Sequence, residues 1–166
     1  MSVQLVSQPL TREAFAPFGD VVRVPGQRSR PVNEGRAWRH DGLAALAHAP
    51  RALHPTVALY DVEASALPFA TALFERHPWS SQLFLPMRAE TYLVVVAPDR
   101  AGAPDPSAAC AFLAGSETGV HYRPGVWHVP LIAIGAPALL AMFIFETDDA
   151  DDTEEARLST PLTISA

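Results

Sequence analysis

The chain has 166 residues, enough for one domain with a substantial core; 49% are hydrophobic and 18% charged, which excludes a disordered protein. All twelve basic residues are arginine, so a lysine Schiff base, a P-loop lysine and a lysine general base are excluded. The net charge of −6 excludes a basic nucleic-acid-binding face, and the single Cys110 excludes an internal disulfide and fits a reducing compartment.

Sixteen prolines against nine glycines favour a fold of short strands and many corners over long helices. VQLV near the start reads as a strand, and Thr11 can cap a single helical turn, TREAF, before the strand DVVRV. Residues 25–38 are loop-like and rich in arginine, and LAALAHA (43–49) is the best helix candidate before Pro50. Eight short apolar runs follow: TVALYDV, FATALFE, QLFLP, TYLVVVA, ACAFLA, GVHYR, WHVPLIAI and ALLAMFIF. Repeated strands of this length predict an all-β sandwich or antiparallel β-barrel with a few short helices. The uncharged run 129–145 holds Pro130, Gly135 and Pro137 and is shorter than the ~20 apolar residues of a spanning helix, so it reads as two buried strands around a turn. No basic region precedes an apolar core in the first fifteen residues, so neither a secretory leader nor a membrane partner is expected, and the location expected is cytoplasmic.

Seven of the eighteen acids lie between Glu146 and Glu155. Such a run reads as a solvated, mobile segment; a calcium loop lacks its glycine and spacing. The chain is therefore divided into a barrel domain, 1–146, and an acidic peripheral tail, 147–166.

Two clusters could carry chemistry. In Glu75-Arg-His77-Pro-Trp-Ser-Ser-Gln82, the period-two alternation of a strand sends Glu75 and His77 to one face, and Gln82 can rejoin them from the next strand. Together they could bind a metal or a polar substrate, or simply form an acid–arginine pair and a histidine tethered beside a turn. In Tyr122-Arg-Pro-Gly125-Val-Trp127-His128, a tight turn precedes a histidine at the head of an apolar strand. That histidine needs a metal, a carboxylate or a carbonyl as partner. His48 and His54 read as surface residues, Cys110 as a small hydrophobe, and Trp79 and Trp127 as core or barrel-mouth packing.

The order E-x-H-x4-Q, then PG-x-x-H, resembles the two motifs of the cupin double-stranded β-helix. The segments LTREAFAPFGDVV, VNEG, LPF, ERHPWSSQLFLPM, PDPSAACAF and GVHYRPGVWHVPL resemble, in order, those of the ureidoglycolate lyase family within the cupins. The resemblance implies a homodimeric enzyme of allantoin and purine catabolism that splits ureidoglycolate into glyoxylate and urea. It implies His77, His128, Glu75 and Arg39 as catalytic residues, with Gln82, Tyr122, Asn33 and Trp127 holding the substrate. It also implies a divalent metal, nickel or zinc, on His77, Gln82, His128 and Glu75, and no organic cofactor. Arg39 is expected near the mouth, as the cation for the substrate carboxylate. The chain departs from the family pattern at Asp61, His121, Val129, Ile144 and Phe145, and its Arg39-His40-Asp41-Gly42 is compressed. These departures keep open a cupin that binds a small carboxylate without catalysis, and a metal-dependent cupin enzyme with another substrate.

Overall fold

A computed structural model describes residues 3–149 and 152–166. The strands are β1 (Val3–Val6), β2 (Gln8–Pro9), β3 (Gly19–Val22), β4 (Arg30–Val32), β5 (Ala37–Arg39), β6 (His54–Val62), β7 (Ala64–Ser65), β8 (Phe69–Arg76) and β9 (Gln82–Arg88). They continue with β10 (Thr91–Ala97), β11 (Asp99–Arg100), β12 (Ala103–Pro104), β13 (Cys110–Gly115), β14 (Gly119–Tyr122), β15 (Trp127–His128), β16 (Ile132–Ile134), β17 (Ala138–Glu146) and β18 (Glu154–Ser165). The helix α1 (Arg12–Phe15) starts where expected, with the Thr11 hydroxyl accepting from Ala14 N–H at 3.2 Å.

Most of the strands form two facing sheets, while β4–β5 and β11–β12 pair as separate two-stranded ribbons. One sheet runs β1-β18-β8-β15-β10-β13-β2, with β16 on β10 and β7 on β16; the other runs β3-β14-β9-β17-β6. The sheets are not hydrogen-bonded into a closed barrel, so the all-β, cupin-like expectation holds as a two-sheet architecture. Their inner faces share one core: Tyr92, Val94, Val96 and Phe112 from the first meet Phe84, Val120, Leu140 and Met142 from the second. Successive side chains of a strand face opposite ways, so Leu93, Val95 and Ala97 of β10 enter a second cluster with Phe74, Trp127, Leu162 and Ile164. This explains the unbroken apolar run TYLVVVA, since both faces of β10 are buried. Gly19 is required by close packing of β3 on β14, because a Cβ there would lie 1.8 Å from the His121 carbonyl oxygen.

Two expectations are corrected. Residues 43–49 form no helix: the Ala47 carbonyl accepts from Ser81 N–H, Ala49 N–H donates to the Trp79 carbonyl, and His48 bridges Ser80. Tertiary pairing thus overrides the helical propensity of an alanine-rich stretch too short to hold itself. The peripheral tail also fails. Residues Glu154–Ser165 form β18, which pairs with β8 and β1 and buries Leu162 and Ile164 completely. The alternation that buries one side of this strand was masked by the acidic residues before it.

Candidate active site

β8 and β15 meet at one register pair, Glu75 opposite His128, and His77 follows β8 directly. The ligand atoms of Glu75, His77 and His128 all lie within 4.8 Å of one another. Both histidines are buried, and Glu75 is largely so. Gln82 and Tyr122 are register partners on β9 and β14 and share the inner face with Phe84. Tyr122 stacks on His128 with ring centroids 4.3 Å apart and planes 12° from parallel, which brings this second pair to the histidines. Glu75, His77, His128 and the pair Gln82–Tyr122 thus lie together between the two sheets.

Backbone carbonyls set the tautomers of both histidines. Nδ1 of His77 lies 3.1 Å from Asp152 O, and Nδ1 of His128 lies 2.9 Å from Val126 O. A carbonyl only accepts, so in each ring Nδ1 carries the proton and the neutral imidazole presents a lone pair at Nε2. Both Nε2 atoms are buried without a hydrogen-bond partner, as are Gln82 Oε1 and the Tyr122 hydroxyl. Nε2 of His128 stands 3.3 Å from Glu75 Oε1, at ion-pair distance but without hydrogen-bond geometry.

Burial works to raise the Glu75 carboxyl, but the contact with His128 and the positive charge available on both histidines outweigh it and hold Glu75 below the usual carboxylate value. Burial and then the neighbouring His128 push His77 down, so that it is neutral near pH 7. Burial, with Tyr92 and Glu75 nearby, raises the Tyr122 hydroxyl well above its ordinary value, so it stays protonated.

The donor set fits a divalent cation: two imidazole nitrogens left free because backbone carbonyls hold the opposite ring protons, one carboxylate, and an amide oxygen on the same inner face. Three converging lone-pair atoms with no proton between them repel one another unless a cation or an added proton sits among them.

Three residues named from the sequence are not brought to this cluster. Arg39 lies on the separate β4–β5 ribbon with its side chain 62% exposed and its Nε 2.6 Å from Asp41 Oδ1. Asn33 is exposed in a turn at φ 53°, a left-handed position that asparagine tolerates. Trp127 alternates with His128 and therefore points into the second cluster, where its Nε1 donates to Asp99 Oδ2 at 3.0 Å. Asp152, whose carbonyl orients His77, was missed because it sits inside the acidic run; only its tertiary position separates it from the acids around it.

Comparison with known proteins identifies the family. A family model described as ureidoglycolate lyase matches residues 2–165. A ureidoglycolate lyase of Burkholderia mallei (strain NCTC 10229) is 45% identical over 128 residues, covering 77% of this chain and 74% of its own. That of Burkholderia cepacia is 46% identical over 128 residues (76% and 71%). That of Brucella melitensis biotype 2 (strain ATCC 23457) is 42% identical over 130 residues (78% and 76%). Among solved structures, a dTDP sugar isomerase from Desulfovibrio desulfuricans G20 matches with TM-score 0.49 and 16% identity, covering 86% of this chain and 83% of that one. An oxalate decarboxylase of Bacillus subtilis matches with TM-score 0.41 and 19% identity, covering 64% of this chain and 24% of that one. With the family match running through nearly the whole chain, and its histidines and acid gathered in one place, the protein belongs to the ureidoglycolate lyase family.

Proposed function

We propose that the protein cleaves ureidoglycolate to glyoxylate and urea in cytoplasmic purine catabolism, at the cluster of Glu75, His77 and His128. The observation that carries this reading is the convergence of a depressed carboxylate and two imidazole lone pairs on one buried point. Ureidoglycolate bears a hydroxyl, a ureido nitrogen and a carboxylate on one carbon. Cleavage removes the hydroxyl proton, forms the carbonyl, breaks the carbon–nitrogen bond and returns a proton to the departing nitrogen.

Glu75 is ionised and His77 neutral at pH 7, so either can accept the hydroxyl proton, and the histidine that holds it can deliver it to nitrogen. The stacked Tyr122 keeps its proton and serves as a hydrogen-bond donor. Gln82 Oε1, buried without a partner, is an acceptor for the N–H groups of the ureido end. Alternatively, a nickel or zinc ion held by Glu75, His77, His128 and Gln82 would take up these lone pairs, replace them as proton and N–H acceptors, act as a Lewis acid at the substrate oxygens and balance the carboxylate charge. Arg39, engaged with Asp41, has no part in this scheme.

The test is urea release from ureidoglycolate by purified protein, measured against the spontaneous rate with and without added nickel or zinc. A rate well above background supports the lyase; none in any condition ends that reading.

The outer face of the five-stranded sheet supports a homodimer. Val57 and Leu59 of β6 are 65% and 59% exposed. They lie in cross-strand rows with Phe143 and Leu83, and with Ala141 and Leu85. A second copy covering these rows would bury apolar surface that a monomer leaves in water.

A further inference from the structure

Behind the cluster, on the opposite face of the same strands, Arg76, Trp127 and Asp99 form a second constellation. Arg76 sits in the chain between Glu75 and His77, and Trp127 precedes His128, so alternation sends both away from the cluster as their neighbours enter it. There the Arg76 guanidinium lies 4.4 Å over the Trp127 ring. Asp99 Oδ2 accepts from Arg76 Nη1 at 2.6 Å and from Trp127 Nε1 at 3.0 Å, while Asp99 Oδ1 accepts from Gly102 N at 3.0 Å. Glu154 Oε2 holds the other side of the guanidinium at 2.6 Å.

The backbone alone ties these strands weakly. β15 has two residues and one register pair with β8. A one-residue slip would exchange the faces of Trp127 and His128 and empty the cluster of its second imidazole. One carboxylate oxygen that accepts from both strands opposes that slip, with Trp127 buried in a packed cluster as the anchor.

We propose that Arg76 and Asp99 are positioning residues that clamp β8 to β15 from behind and so hold Glu75, His77 and His128 at chelating separation. The inference rests on the reading of that cluster as the working site. It predicts that losing the clamp loosens the site while the domain stays folded.

The test uses Asp99→Ala, Arg76→Met and the conservative Asp99→Asn, whose amide oxygen can still accept from both strands. Nitrogen-15 spectra of the histidines in metal-free protein report whether Nδ1 carries the proton. Calorimetric titration with nickel or zinc alone reports affinity, and thermal unfolding confirms a folded sample. Wild type should show the Nδ1–H tautomer for His77 and His128. Asp99→Ala and Arg76→Met should mix tautomers and weaken metal binding about 10–100-fold, the range typical of losing a group that orients a metal ligand. Asp99→Asn should keep the wild-type spectrum and most of the affinity. Folded Asp99→Ala with unchanged tautomers and unchanged metal affinity would overturn the proposal. A wild type that binds neither metal ends the metal reading instead, and the tautomer spectra then decide the clamp.

Discussion

Glu75 and His128 are cross-strand partners whose facing atoms, Oε1 and Nε2, stand 3.3 Å apart. Nδ1 of His128 is directed to the Val126 carbonyl on the other side of the ring, which leaves Nε2 to face the carboxylate. Such a pair calls for positive charge between its members, and His77 offers a third lone pair to the same point.

Removing either imidazole should therefore remove function before fold. His77→Ala or His128→Ala is expected to lower ureidoglycolate turnover about 10²–10⁴-fold, the size of a general acid–base contribution. Unfolding free energy should fall by only about 1–3 kcal/mol, as for an ordinary buried substitution. Urea release and denaturant unfolding check the two halves. A folded variant with wild-type specific activity would make these histidines structural.

Gln82 is almost fully buried and its Oε1 lacks a partner. Gln82→Glu places an anionic oxygen where a neutral one stands, so divalent-metal affinity should rise at least about tenfold, the effect of ~1.4 kcal/mol. Without metal the variant should be less stable than wild type, because a second buried carboxylate joins that of Glu75. Calorimetric titration and the Tm of the metal-stripped protein test both signs; equal affinity would place Gln82 outside the ligand set.

The acid limb of stability should depend on Asp99. Hydrogen bonds from the Gly102 backbone and Trp127, with the Arg76 charge, hold its carboxyl below the ordinary 3.8. The unfolded chain then takes up the proton first as pH falls, so this stabilisation is complete above about pH 4 to 5 and is lost as pH drops through the lower native value. Denaturant unfolding across the acid range should show a shallower loss in Asp99→Asn than in wild type. Identical slopes would show that Asp99 gains nothing by ionising in the fold.

Leu162 is fully buried on β18. Leu162→Ala should destabilise the protein by about 2–5 kcal/mol, the cost of a large-to-small core substitution. A loss below about 0.5 kcal/mol, typical of a surface position, would return the C-terminal segment to the role of a tail.

Leu59 is 59% exposed on the outer face of the five-stranded sheet. Light scattering should give a dimer for wild type and a monomer for Leu59→Arg, since the arginine would meet apolar rows across the interface. The substitution should leave Tm of the monomer nearly unchanged. A wild-type monomer at micromolar concentration would contradict the dimer.

How much was legible in the sequence follows the range of the interactions involved. The strands, the Thr11-capped turn and the inward parity of Glu75 and His77 depend on period-two alternation and on proline and glycine punctuation, which are local. The grouping of those residues with His128 came from motif order and resemblance; the structure places Glu75 and His128 in register across β8 and β15. Arg39 and Asn33 were misplaced because nothing local says which way an arginine-rich loop folds, and the β4–β5 ribbon stays apart from both main sheets. The alanine-rich 43–49 reads as helix by propensity alone, but it is too short to outweigh bonds to Trp79 and Ser81. Residues 147–166 read as a tail because charge is visible in a sequence while a partner strand is not. Only β8 and β1 on its two sides make β18 a strand, and only that placement turns the Asp152 carbonyl toward His77. Composition and alternation determined the elements and the chemistry available; long-range pairing decided which lone pairs meet, because it alone brings residues 75, 128 and 152 to one point.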